Sequence, residues 1–316
     1  MSRKFKRAME QEFKIPGKPK KTDIKLRAIC NKPHGGTWYL HDDIKFFPQK
    51  QDEFLSQDIP GILKDIYCDD EPQEPIFKKN SVVLNFGSCF ADRCSRLFAD
   101  TFRSQFLEIP SGLHNTYAVK EFLNWVLHGQ ASTGAYLYKQ AGKWTPKDEG
   151  DAAKKVIDGA SGFIISVGLA EVWCETETGQ VFWRGVPKEI FSREAHHYEI
   201  TTPADNANNM LQIQRMLSPD GSRPVLWVLC PVPLNATWKD SAFVSDCLSK
   251  SIMRVAIDKF MSYCMPGAYY WPAFEQIKWL GAHLDNSTYG ADNSTRHPDN
   301  WMLKYVTDEF KRRYVR

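Results

Sequence analysis

The sequence predicts an α/β fold: a doubly wound parallel sheet of about five strands, preceded by an N-terminal extension. Three observations point there. From residue 80 onward, short runs rich in apolar and β-branched residues recur at strand length. Stretches with helical periodicity separate them, so successive strands are joined by crossovers and not by hairpins. The runs are apolar on both faces, as a sheet covered by helices on both sides requires.

Residues 1–79 come first and are read as the extension, with residues 80–316 as the α/β domain. The stretch 1–32 carries eleven Lys and Arg against three acidic residues, although the whole chain is only +3. Pro16, Pro19 and Pro33 interrupt any long helix there. Such a tail reads first as a solvated extension, with contact to a polyanion as its functional alternative. Nucleic acid is not an expected partner. Trp38–Leu40 is a candidate short strand, and the remainder up to Asn80 shows no legible function.

The expected strands are Val82–Phe86, Gln105–Glu108, Gly162–Val167, Pro224–Cys230 and Ala268–Trp271. Between and after them, helices are expected over Asp92–Phe102, Tyr117–Leu127, Ala204–Leu217, Ser241–Met261 and Asp299–Tyr314. In the last of these, Trp301, Met302, Tyr305, Val306 and Phe310 recur at helical spacing, and Pro298 suits a first turn.

Composition narrows the class. Hydrophobic residues make up 42% and aromatics 13%, enough for a packed core. No apolar run approaches the roughly 20 residues that span a bilayer. The basic start, Met1 to Arg7, lacks the apolar stretch of a secretory signal, so a cytoplasmic location is expected. The eight cysteines include no C-x-x-C pair, which argues against a disulfide framework and a structural zinc site. Neither a metal nor a cofactor is expected: a P-loop, a dinucleotide fingerprint and paired histidines at ligand spacing are all missing.

The chemistry concentrates at Val82–Ala91, VVLNFGSCFA. A strand, a glycine turn and a helix present small nucleophile-capable side chains, Ser88 and Cys89, at the carboxyl end of a strand. That is where open α/β sheets place ligands. The helix also aims its first free N–H groups at the turn, which favours an anion or a thiolate.

The string Gly87–Ala91 resembles the signature of the GSCFA family, within the SGNH/GDSL-like hydrolases, and further blocks follow in order. Pro110–Asn115, Val167–Trp173 and Cys230–Thr237 are similar to successive family blocks. So are Ser249-Lys250, Tyr270–Glu275 and the closing His297-Pro298. The resemblance spans roughly residues 80–310. It implies a flavodoxin-like strand order and a hydrolase that works through a covalent acyl-enzyme on an ester. The wider class suggests an O-acylated carbohydrate, or another small-molecule ester, as substrate. An acyltransferase with the same machinery and a catalytically weak binding module are the alternatives.

Laid on the Gly-Asp-Ser turn of GDSL enzymes, Gly87 matches the glycine, Ser88 the aspartate and Cys89 the nucleophile. Ser88, one residue away, stays open as the hydroxyl nucleophile. The family's histidine falls on His297, but the acid that should stand three residues before it is Ser294; the nearest upstream acid is Asp292. A serine needs a well-oriented base, whereas a thiol can be activated by an imidazole and a helix N-terminus. A Cys89–His297 dyad is therefore expected, with Asp292 or a main-chain carbonyl holding the imidazole. Gly112 and Asn115 are the implied oxyanion donors, with Asn115 as a helix cap the structural alternative. Gly168 and Glu171 lie in a block that lacks the usual asparagine. Glu171 and Glu275 are read as acids near the carboxyl edge of the sheet that orient site groups or bind substrate hydroxyls.

Overall fold

The computed structural model describes residue 47 and residues 58–106, 114–129, 146–182, 186, 188, 190–284 and 287–316. The chain divides into two compact units, Met1–Phe54 and Leu55–Arg316. The fold and the candidate site lie in the second. The expected strand at Trp38–Leu40 falls outside the described residues.

Seven strands are described: β1 (Val82–Gly87), β2 (Arg103–Phe106), β3 (Gly162–Val167), β4 (Glu171–Glu175), β5 (His196–Ile200), β6 (Val225–Leu229) and β7 (Ala268–Trp271). The helices are α1 (Ile59–Asp65), α2 (Cys89–Leu97), α3 (Thr116–His128), α4 (Pro146–Asp158), α5 (Pro203–Leu217), α6 (Ala242–Met261), α7 (Ala273–His283) and α8 (Asn300–Tyr314). Five strands form one sheet in the order β2-β1-β3-β6-β7, and every pairing in it is parallel. This is the expected doubly wound, flavodoxin-like order. β4 and β5 form a separate antiparallel pair.

Both faces of the sheet are apolar, and alternation along the strands assigns each side chain to one face. Leu84, Phe86, Phe163, Ile165, Trp227 and Leu229 belong to one buried cluster with α3, α5 and α6. The opposite face is covered by α2, α7 and α8 and is built largely of rings. There Phe310 of α8 lies 4.5 Å from Phe98, 4.7 Å from Trp271 and 4.9 Å from Tyr314.

Residues before β1 are tied to this second face. Arg313 of α8 donates to Glu71 at 2.8 Å and to Glu309 at 2.7 Å, and its Nη2 reaches the Leu63 carbonyl at 2.6 Å. Tyr314 Oη also hydrogen-bonds Glu71. Phe77 pairs with the chain end: its N–H donates to the Tyr314 carbonyl at 2.9 Å, and its carbonyl accepts from Arg316 at 3.0 Å.

Several elements differ from expectation for local reasons. The helix after β1 begins at Cys89, three residues earlier than the periodicity suggests, because Gly87 turns the chain and Ser88 caps the helix at once. It ends at Leu97, and Phe98 to Phe102 turn back toward β2. β2 starts at Arg103; positions 107 and 108 of the expected strand lie outside the described residues. Helices α1, α4 and α7 and the β4–β5 hairpin were not among the elements that periodicity picked out.

Candidate functional site

β1 delivers the site. Gly87 has φ +116°, and a Cβ there would fall 2.0 Å from the Ser166 carbonyl oxygen, so the turn admits only glycine. Ser88 follows, buried, with its N–H donating to that same Ser166 carbonyl at 3.0 Å. Its hydroxyl is doubly engaged: Oγ accepts from the Phe90 N–H at 3.2 Å and lies 2.6 Å from Ser166 Oγ on β3. Ser88 is thus the N-cap of α2, and Cys89 is the first helical residue, partly exposed.

Ser88 and Cys89 line a cavity of about 270 Å³ at the carboxyl edge of the sheet, together with His114, Gly168, Cys230 and Arg296. Its remaining wall is the loop after β6, from Val232 to Ala236, with Leu169 and Lys250. Lys250 is buried and knits three segments together. Its Nζ donates to the Gly168 carbonyl at 3.2 Å and the Val232 carbonyl at 3.0 Å, and lies 3.5 Å from Asp246. Arg296 grips the same loop: Nε and Nη2 both donate to the Pro233 carbonyl, at 3.0 and 2.8 Å, and Nη1 to Asn235 Oδ1 at 3.2 Å.

Opposing fields act on the Cys89 thiol. Burial pushes its pKa up, and the neighbouring Cys230 adds to this. Its own backbone N–H and the Arg296 guanidinium pull the other way without cancelling the burial. The resting group is therefore a thiol, not the preformed thiolate that the helix N-terminus alone suggests. His297 is displaced in the complementary direction. Burial, then Arg93 and Arg296, lower its pKa, so the imidazole is neutral around pH 7.

The sequence model of the GSCFA family matches residues 82–310, most of the chain. The chain belongs to the GSCFA family. Comparison with curated proteins and with solved structures returned no match.

In this GSCFA protein the family blocks converge on the cavity unevenly. Ser88, Cys89 and Gly168 line it. His297 is not part of the lining, although Arg296 beside it is; its ring nitrogens are shielded from solvent. The histidine that does line the cavity is His114, whose carbonyl accepts from the Gly168 N–H at 3.4 Å. Asn115 uses its Oδ1 to cap α3, accepting from Ala118 N–H at 2.8 Å, so that oxygen has the structural job foreseen as the alternative. Gly112 lies outside the described residues, and so does the side chain of Asp292, whose backbone sits in the 3-10 turn Ala291–Asn293.

The two glutamates fall elsewhere. Glu171 accepts from Thr237 Oγ1 at 2.9 Å, beneath the cavity-wall loop. Glu275 accepts from Arg254 Nε at 3.0 Å and from Tyr270 Oη at 2.8 Å, at the β7 side of the sheet and outside the lining. His114, Cys230, Lys250 and Arg296 were not singled out as site residues from sequence. All four lie within or beside the family blocks, so position in those blocks was the available signal.

Proposed function

We propose that this GSCFA protein is an ester hydrolase that works through a covalent acyl-enzyme on Cys89. One observation carries the reading: Ser88 and Cys89 both line the cavity, but Ser88 Oγ is committed to capping α2 and to Ser166, while Cys89 is the first residue of the helix. In the reaction the Cys89 thiol gives its proton to a neutral imidazole as sulfur attacks the acyl carbonyl. The carbon–sulfur bond forms, the ester C–O bond breaks, and the alcohol leaves with the proton from the imidazolium. Water then cleaves the thioester and restores the thiol. Because the thiol pKa is raised and the His297 pKa lowered, the pair starts neutral. Proton transfer accompanies attack and does not precede it.

His297, with Asp292 in support, is the base by family position, and His114 is its rival by location. The Cys89 N–H, at the positive end of α2 where Ser88 already takes the Phe90 and Ala91 N–H groups, is the donor for a developing oxyanion, with Gly112 as a further donor. An O-acylated carbohydrate is the proposed substrate class. Trp238, on the loop that continues from the cavity wall, is 61% exposed and held edge-on by Trp173 at 5.0 Å. Such a ring face packs against sugar C–H surfaces.

The test is intact-mass analysis during turnover of acetylated oligosaccharides and simple aryl esters, with variants of each site residue. A mass increase on the Cys89 peptide, lost in Cys89→Ala and kept in Ser88→Ala, is expected. His297→Ala should slow its formation about a hundredfold or more. A larger effect from His114→Ala would move the base to that residue. An adduct on Ser88 would overturn the assignment. No adduct with any ester would leave the fold as a binding module, and transfer to an added sugar in preference to water would make it an acyltransferase.

A further inference from the structure

The β4–β5 hairpin gathers three metal-ligating side chains that no spacing in the sequence announces. Cys174 stands directly opposite His197 in the antiparallel register, and Glu199 is two residues further along β5. Alternation along both strands puts all three on one face of the hairpin. Their donor atoms lie within 4.8 Å of one another. Glu199 Oε2 is 3.7 Å from Cys174 Sγ and 3.7 Å from His197 Nε2. Around a tetrahedral zinc-like ion, with bonds of about 2.0–2.3 Å, sulfur–oxygen and nitrogen–oxygen separations come to about 3.4–3.6 Å. The two Glu199 separations thus need to close by only a few tenths of an ångström, and the Cys174–His197 separation, within 4.8 Å, by about 1 Å at most.

Two further features favour a cation over a chance cluster. His197 Nδ1 lies 3.3 Å from Thr176 Oγ1, which fixes the ring with Nε2 turned toward Glu199, the outer-shell arrangement of metal-ligating histidines. Cys174 is buried, but His197 and Glu199 are exposed, so an ion has a path from solvent. We propose that Cys174, His197 and Glu199 form a binding site for a borderline divalent cation of the zinc class, with a fourth position left to water. A thiol, an imidazole and a carboxylate suit zinc or cobalt better than magnesium or calcium, which take oxygen donors. On binding, the Cys174 S–H bond breaks: sulfur keeps the electron pair for the metal, and the proton passes to solvent. None of the three residues lines the cavity, and the site stands or falls apart from the acyl-transfer reading.

The experiment is titration of the purified full chain with Co²⁺, in a background where the exposed Cys247 and Cys264 are changed to alanine. Near-ultraviolet thiolate-to-cobalt charge transfer is the readout. One equivalent is expected to give the band, and Zn²⁺ to displace it. Cys174→Ser should abolish the band, and His197→Gln and Glu199→Gln should each weaken binding at least tenfold. Thr176→Val should weaken it about tenfold through the imidazole. His197 and Glu199 are exposed, so their variants retain the fold and test the site even if Cys174→Ser does not. Absence of the band, or its survival unchanged in His197→Gln and Glu199→Gln, would overturn the proposal.

Discussion

Cys89 and Ser88 are neighbours in sequence but opposites in environment. Both line the cavity, but Ser88 is buried with its oxygen shared between the Phe90 N–H and Ser166, whereas Cys89 is partly exposed and its thiol pKa is raised by burial. A thiol whose pKa is raised is protonated at neutral pH, and its reactivity climbs as the pH rises through that raised value. Alkylation of Cys89 by iodoacetamide should therefore show a midpoint above the ~8.5 of a free cysteine. Arg296 is one of the groups that lower it, so Arg296→Gln should push the midpoint higher still. Peptide-resolved labelling across pH reads both, and a midpoint below the ordinary thiol range would refute the burial argument.

At the level of elements, the turn between β1 and α2 joins the strand, its neighbour β3 and the helix through one buried hydroxyl pair. Ser88→Ala removes a cap and leaves Ser166 Oγ without its 2.6 Å partner. Loss of a cap costs about 1 kcal/mol, and an orphaned buried hydroxyl adds about 1 more. Denaturant unfolding should show a loss of about 2 kcal/mol with acyl-enzyme formation on Cys89 retained. A stable Ser88→Ala that had lost the adduct would place Ser88 in the chemistry instead. The neighbouring loops are fixed in a similar way, Lys250 joining the segments after β3 and β6 and Arg296 gripping Pro233 and Asn235.

Across the whole molecule, the α8 end is bound to the residues before β1 through a largely buried charge cluster. Arg313 lies between Glu71 and Glu309, and all three side chains are almost completely enclosed. Removing the cation would leave Glu71 without its ion-pair partner while Glu309 keeps Arg312, so Arg313→Ala should cost about 3 kcal/mol in unfolding free energy. Glu309 gives this cluster a pH dependence. Burial pushes its pKa up, but hydrogen bonds from Arg312 and Arg313 outweigh it and hold the pKa below the ordinary glutamate value. A carboxyl with a depressed folded-state pKa stabilises the fold above its unfolded-state pKa, and that contribution disappears as pH falls through the folded value. Acid unfolding should thus be less steep in Glu309→Gln than in the parent. Equal slopes would remove Glu309 from the acid response.

The sequence by itself determined the parallel five-stranded sheet, since each strand carries its own apolar, β-branched run and each crossover its own helical period. It also determined the turn at the carboxyl end of β1, because a glycine, a capping serine and a thiol stand there without interruption. Helix α4 stayed illegible because its polar stretch from Lys147 to Asp151 leaves only a narrow apolar stripe. The β4–β5 pair did so because its strands are five residues long and separated by twenty. Only the tertiary structure decided how two adjacent cavity-lining residues differ in their partners. Ser88 is engaged by Ser166, which a hydrogen bond across β1 and β3 brings to it from 78 positions away. The same holds for His114 lining the cavity, for Asn115 turning its oxygen to α3, and for Cys174 meeting His197. A single residue's pattern encodes its burial and its local element; its partners across a sheet or hairpin are fixed only when the chain closes on itself.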